Sequence, residues 1–234
     1  MGSMETVTSR DGTPIAYERS GEGPPLVLVH GTTSDRSTWD LVLPELGKRF
    51  TVYAMDRRGR GESGDGSGSS YDIEREFEDL IALIDSIGEP TDLLGHSYGA
   101  ICALEGALRS PRVRRLVLYE GTFPVPEGAE LYRPGALDSV RSQLEAGDKE
   151  GALTTFYRDI IAMISSEEIE MLRSLPVWQS RVALAPTIPH RTAPGVFVRE
   201  VARFLVQAEH ESAGGTRQGI EPGVAVSQGG TSHR

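Results

Sequence analysis

The strongest constraint on this chain is an alternation. Short, almost wholly apolar runs take turns with stretches that repeat apolar residues every three to four positions. Leu26–His30 (LVLVH) lies between Pro25 and Gly31, and Phe50–Met55 (FTVYAM) ends at Asp56. Asp92–Gly95 is a short third run, and Val113–Tyr119 (VRRLVLY) a fourth. Runs without polar alternation suit strands buried on both faces, as in a parallel sheet. Between them, Ile73, Phe77, Leu80, Ile81, Ile84 and Ile87 form one helical stripe, closed by Gly88 and Pro90. A second helix is expected from about Ser97 to Ser110. A third is expected through Trp39, Val42, Leu43 and Leu46, with Ser37 as its N-cap. Strands alternating with helices imply a parallel sheet with helices on its faces. Ahead of it, Met4–Ser9 and Thr13–Arg19 flank Asp11-Gly12, a hairpin turn signal.

After Tyr119 the pattern becomes helical only. Leu137, Val140 and Leu144 make one stripe, and Leu153, Phe156, Tyr157, Ile160 and Ile161 another. Ser165 and Glu168 have capping-box spacing ahead of Met171 and Leu172. Pro194–Ala208 is a last amphipathic helix, through Phe197, Val201, Phe204 and Leu205. The stretch from His210 to Arg234 has no aromatic residue and is glycine-rich, which reads as a disordered tail. The expected organisation is one domain over residues 1–209, with a helical cap over about 122–186, and the tail over 210–234.

Composition narrows the function. A formal charge of −10 repels phosphate backbones and anionic lipid, which argues against nucleic acid as a partner. No apolar run reaches the length of a membrane-spanning helix. Gly2 and Ser3 ahead of Met4 read as a cloning remnant, not the start of a signal peptide. A single cysteine, Cys102, rules out an internal disulfide and a cysteine zinc site. A cytoplasmic setting is the expectation. Cys102 lies among apolar residues and reads as a buried, inert thiol.

One segment carries chemistry. Gly95-His96-Ser97-Tyr98-Gly99 follows a strand and opens a helix, the context of a G-x-S-x-G nucleophile elbow. The serine must stand on a sharp turn, and the glycines remove side chains that would collide across it. The helix N-terminus behind Ser97 supplies N–H groups for a developing oxyanion. His30-Gly31-Thr32 ends the first buried strand. The Thr32 N–H, beside that of Tyr98, is the expected second donor, and His30 would shape the turn.

Together, Leu26–Thr32 (LVLVHGT), Asp56–Ser63 (DRRGRGES), Asp92–Gly99 (DLLGHSYG) and Val113–Glu120 (VRRLVLYE) resemble the α/β-hydrolase superfamily. The resemblance implies a three-layer α/β sandwich with a mostly parallel sheet and a helical cap. It implies a Ser-His-acid triad and a mechanism with no metal and no cofactor. It gives Asp56–Ser63 a structural role. The implied substrate is a small ester, thioester or related acyl compound. Serine at the elbow argues against the aspartate-nucleophile branches.

The sequence departs from that pattern near its end. Val177–Pro194 runs from cap-like residues straight into last-helix residues, so the last two strands, and the usual acid between them, are expected to be missing. Of the five histidines, only His190 precedes the last helix in family order. It reads either as the catalytic base or as a histidine in a solvated connection. Glu120, at the end of the last clear strand, reads either as the acid that orients a histidine or as a strand-end residue bonded to loop backbone. Acids between Asp138 and Glu170 are expected on solvated helix faces. Trp178, Phe156, Tyr157 and Met163 are weighed as pocket lining against core, and core is the commoner role. Arg112, Arg114 and Arg115 are expected to be surface charges. With an incomplete triad, weak activity is expected. A non-catalytic scaffold or small-ligand binder is the alternative. The sheet edge left at Val113–Tyr119 invites a homodimer, a covering C-terminal segment or poor solubility.

Overall fold

The structure, a computed structural model, describes residues 2–66, 71–121, 133–161 and 165–191. Six strands form one sheet: β1 (Ser3–Thr8), β2 (Pro14–Ser20), β3 (Pro25–Val29), β4 (Thr51–Met55), β5 (Thr91–His96) and β6 (Val113–Tyr119). Their order is β1-β2-β4-β3-β5-β6. The hairpin pairs antiparallel, β2 pairs antiparallel with β4, and β4, β3, β5 and β6 run parallel. This is the expected mostly parallel architecture. Among the described residues β1 and β6 are the edge strands.

All of β3 is buried, and its side chains divide by the strand period of two. Val27 and Val29 join Tyr53, Met55 and Leu93 against two helices, α2 (Ile73–Ile87) and α3 (Tyr98–Arg109). Leu26 and Leu28 join Val52 and Ala54 on the other face, against Trp39, Leu43 and Leu46. That second face is covered by less helix than the periodicity suggests. Residues Arg36–Trp39 form a 3₁₀ turn, and α1 is only Leu43–Leu46, with Pro44 near its start. Leu41 and Val42 are exposed. Asp35, not Ser37, is the N-cap: its carboxylate accepts the Ser37 N–H at 2.9 Å.

The remaining helices make their own core. They are α4 (Ala136–Glu145), α5 (Lys149–Thr155), α6 (Ser166–Arg173) and α7 (Val177–Ala183). A π-helical turn over Phe156–Ile161 follows α5, and a 3₁₀ helix over Ala185–Arg191 follows α7. Val140, Leu153, Phe156, Tyr157, Ile160, Trp178 and Ile188 fill the centre of this cluster. So Phe156, Tyr157 and Trp178 are core, while Met163 lies outside the described residues. The Ser165–Glu168 capping box is formed in both directions. Asp159 is the exception among the acids. It is largely buried in the π turn and paired with Arg158 and Arg133. The last helix, 194–208, and the tail, 210–234, lie outside the described residues. So does the 122–132 stretch at the start of the expected cap. No helix among the described residues is long and apolar enough to cross a membrane.

Candidate active site

Register puts the key residues together. In the parallel β3–β5 pair, Val29 lies opposite Gly95, so Thr32 and Tyr98 leave neighbouring strands three residues later, at the same sheet end. In the β5–β6 pair, His96 lies opposite Tyr119, which brings Glu120 beside Ser97. Carboxyl ends of parallel strands are where open α/β sheets build their sites.

Ser97 is strained. Its φ is 53° and ψ −119°, a conformation that costs of order 1–3 kcal/mol and persists only when its surroundings enforce it. Three contacts enforce it. The Ser97 N–H donates to the Tyr119 carbonyl at 2.9 Å, tying the turn to β6. A Cβ on Gly95 would sit 2.3 Å from the Gly99 oxygen, and one on Gly99 would sit 2.2 Å from the Val29 oxygen. The elbow is thus packed backbone to backbone on β3 and on its own helix, which only glycine permits. Tyr98 is the first residue of α3, so its N–H stands outside the helical ladder. Gly31 is also near, though less tightly packed: a Cβ there would lie 3.1 Å from Ser97 Cβ.

Beneath these residues lies a buried charge network that the apolar patterning concealed. Arg57 donates to both carboxylate oxygens of Glu76, at 2.5 and 2.8 Å, and to the Gly31 carbonyl at 3.0 Å. Its guanidinium lies over the Tyr98 ring, 4.6 Å from the centroid. Arg60 also reaches Glu76, at 3.2 Å. Arg58 pairs with Asp79 at 2.7 Å and with Asp11 at 3.0 Å. Asp56 accepts N–H bonds from Arg36 and Glu62 and pairs with the Arg36 side chain. The expected structural role of 56–63 is therefore specific: it locks the loop after β3 to α2. Burial pushes the Glu76 carboxyl up, but Arg57 and Arg60 more than offset it and hold it well below the usual range. A signal was present in the sequence. Glu76 and Asp79 fall on the apolar face of α2, where a carboxylate requires a buried cation.

His30 is fully buried. Its Nε2 accepts the Arg57 N–H at 3.1 Å, and its Nδ1 faces the Gly31 carbonyl at 2.9 Å. Burial, then the nearby Arg57 charge, holds its pKa well below the ordinary histidine value, so it is a neutral hydrogen-bonding residue of the turn. Cys102 is buried, and burial pushes its thiol pKa up, in keeping with an inert thiol. Arg114 pairs with Asp92 at 2.7 Å and Arg112 with Asp85 at 3.5 Å.

Glu120 has φ 49° and its carboxylate lies 3.3 Å from His96 Nε2. So the histidine it meets among the described residues is the elbow's own neighbour. The His96 ring lies between Tyr119, at 5.4 Å, and Trp39, at 6.4 Å. The backbone of His190 belongs to the Ala185–Arg191 turn, and its side chain lies outside the described residues. No group of three or more His, Cys, Asp or Glu among the described residues could hold a metal ion.

Comparison with known proteins decides the family. A family model for the alpha/beta hydrolases matches residues 26–221. The chain belongs to the alpha/beta hydrolase family. A solved alpha/beta hydrolase from Sphaerobacter thermophilus superposes with a TM-score of 0.73 at 36% identity, over 81% of this chain and 73% of the other. The N-formylmaleamate deformylase of Pseudomonas putida is 37% identical over 139 residues, 57% of this alpha/beta hydrolase chain and 52% of the relative. The pimeloyl-[acyl-carrier protein] methyl ester esterase of Aeromonas hydrophila is 29% identical over 167 residues, 70% of this chain and 64% of the relative. The chain thus spans about half to two thirds of the length of these curated relatives.

Proposed function

We propose that the protein is a hydrolase of small acyl compounds, an ester, thioester or related substrate, with Ser97 as nucleophile. The observation that carries this reading is the strained φ of Ser97, held at the carboxyl end of β5 between two glycines that have no room for a side chain. Strain of this kind, enforced by backbone packing, is characteristic of functional turns. In the proposed mechanism, Ser97 Oγ attacks the substrate carbonyl carbon while a histidine base takes its proton. The N–H groups of Thr32 and Tyr98 receive the developing oxyanion charge. The base then returns the proton to the leaving group, and water hydrolyses the acyl-enzyme by the reverse sequence. His190 is proposed as the base and Glu120 as the acid. The helices over 136–191 are proposed as a cap over the acyl group, and a cytoplasmic location belongs to the same reading. Relatives that act on a formyl amide and on a methyl ester support acyl chemistry of this class.

The test is labelling by a fluorophosphonate probe. The wild-type protein is expected to be labelled at Ser97, and Ser97→Ala to abolish both labelling and ester turnover. Labelling that survives the substitution overturns the assignment. A folded wild-type protein that resists the probe but binds small acyl ligands would be the non-catalytic binder instead.

A further inference from the structure

A cleft of about 130 Å³ lies between the loop that follows Thr32 and helix α7. Thr33, Asp35 and Thr38 line one side, and Val177, Arg181 and Leu184 the other. Gly31 packs against Ser97, and only Thr32 lies between Gly31 and Thr33, two residue steps or at most about 7 Å of backbone. The cleft is therefore a short reach from the serine.

Arg181 differs from five arginines packed on or near the sheet. Arg57, Arg58, Arg60, Arg109 and Arg114 each hold a carboxylate. Arg181 has no ion pair among the described residues. One of its terminal nitrogens donates to the Tyr157 hydroxyl, and its Nε is buried with no partner. A guanidinium carries five donors in a planar fork, matched by a carboxylate. The cleft's other charged residue, Asp35, lies on the opposite side and caps its own turn: one oxygen accepts both the Ser37 N–H, at 2.9 Å, and its hydroxyl, at 2.6 Å. The apolar walls, Val177 and Leu184, suit a few methylene groups.

We infer that Arg181 binds a free carboxylate on the substrate, remote from the bond that is cleaved, so that the preferred substrates are short acyl compounds with an anionic end. This deepens the proposed hydrolase reading and rests on it for turnover, but the binding site stands on its own geometry.

The test separates the two. Glutarate and its neutral counterpart glutaramide are titrated calorimetrically into the full chain at pH 7. Glutarate is expected to bind more tightly than the diamide. Arg181→Met is expected to weaken glutarate roughly 10–100-fold, the worth of charge-assisted hydrogen bonds, and Arg181→Lys to fall between. In turnover, the ratio of kcat/KM for monomethyl glutarate over methyl butyrate should drop by a similar factor in Arg181→Met. Equal binding of glutarate and glutaramide by the wild-type protein overturns the inference whatever the variants do. So does a selectivity ratio untouched by Arg181→Met in a folded protein. Failure of Ser97 labelling with glutarate preference intact would reject the hydrolase reading and keep the carboxylate site.

Discussion

Replacing Gly99 by alanine would place a methyl carbon 2.2 Å from the Val29 carbonyl oxygen and 2.5 Å from that of His30. Ordinary carbon–oxygen contact needs more than an ångström beyond that. Both oxygens belong to main chain, so no rotamer change relieves the clash, and α3 must move away from the end of β3. Overpacking a core costs about 1–3 kcal/mol, and a backbone clash belongs at the upper end. About 3 kcal/mol lowers the Tm of a chain this size by roughly 6–12 °C. The same shift separates Tyr98 from Thr32, and a displacement of about 1 Å can cost about a hundredfold in rate. Gly106→Ala is the matched control. Its added carbon meets side-chain atoms and no backbone, the nearest being Leu80 Cδ2 at 2.8 Å, and alanine gains helix propensity of up to about 1 kcal/mol. Thermal unfolding and the rate of fluorophosphonate labelling, measured on both variants, test the argument. A Gly99→Ala protein as stable and as reactive as wild type would refute the backbone packing described for the elbow.

Other outcomes follow from the buried charges, the triad and the sheet edge. Glu76→Gln leaves Arg57 and Arg60 without their carboxylate and should cost about 3–5 kcal/mol, read from urea unfolding; a loss under 1 kcal/mol would contradict the network. His30 and Glu76 both have pKa values depressed by folding, so each stabilises above its unfolded pKa and loses that contribution as pH falls. Stability should therefore decline below about pH 6.5 and more steeply below about pH 4.3, opposed near pH 4 by Asp79, which burial raises; a flat profile from pH 7 to 5 would count against a neutral buried His30. If His190 is the base, activity should rise with pH through a value near about 6.5, and His190→Ala should remove that limb; an unchanged profile rejects it. The outer face of β6 exposes Val117 and Tyr119; sedimentation should show a dimer, or a monomer that dimerises on removal of residues 192–234, whereas a monomer in both forms would show the edge to be harmless.

Much of this fold was legible because the signals are local. The β3, β4, β5 and β6 runs, the α2 stripe, the hairpin around Asp11-Gly12 and the Ser165–Glu168 box all rest on neighbours in sequence. What was illegible depends on distant partners. The Trp39–Leu46 stripe has helical spacing, yet it is broken into two short turns, with Pro44 at the start of the second. The stripe from Leu153 to Ile161 hides a π turn, since a wider turn keeps the same residues inward. Glu76 counted as a polar interruption of α2 until Arg57 appeared beside it. For the site, the sharp turn at Ser97 was readable from strand, elbow and helix together. That Glu120 reaches His96 depends on how β6 pairs with β5, and that Arg181 stands without a carboxylate depends on how α7 approaches the loop after β3.

Arg57 is a single side chain that holds a carbonyl of the Gly31 turn, the Glu76 carboxylate and the face of the Tyr98 ring. The two main-chain amides proposed to receive charge come from separate strands, yet both hang from this one anchor. Displacing either amide from the other means opening a buried ion cluster, so their spacing should persist until rare, near-global openings of the molecule. Among the described residues, no ion pair ties the α7 wall down in the same way. Natural variation in substrate can therefore accumulate on the helical side while the amide pair stays fixed by the same forces that keep the sheet folded.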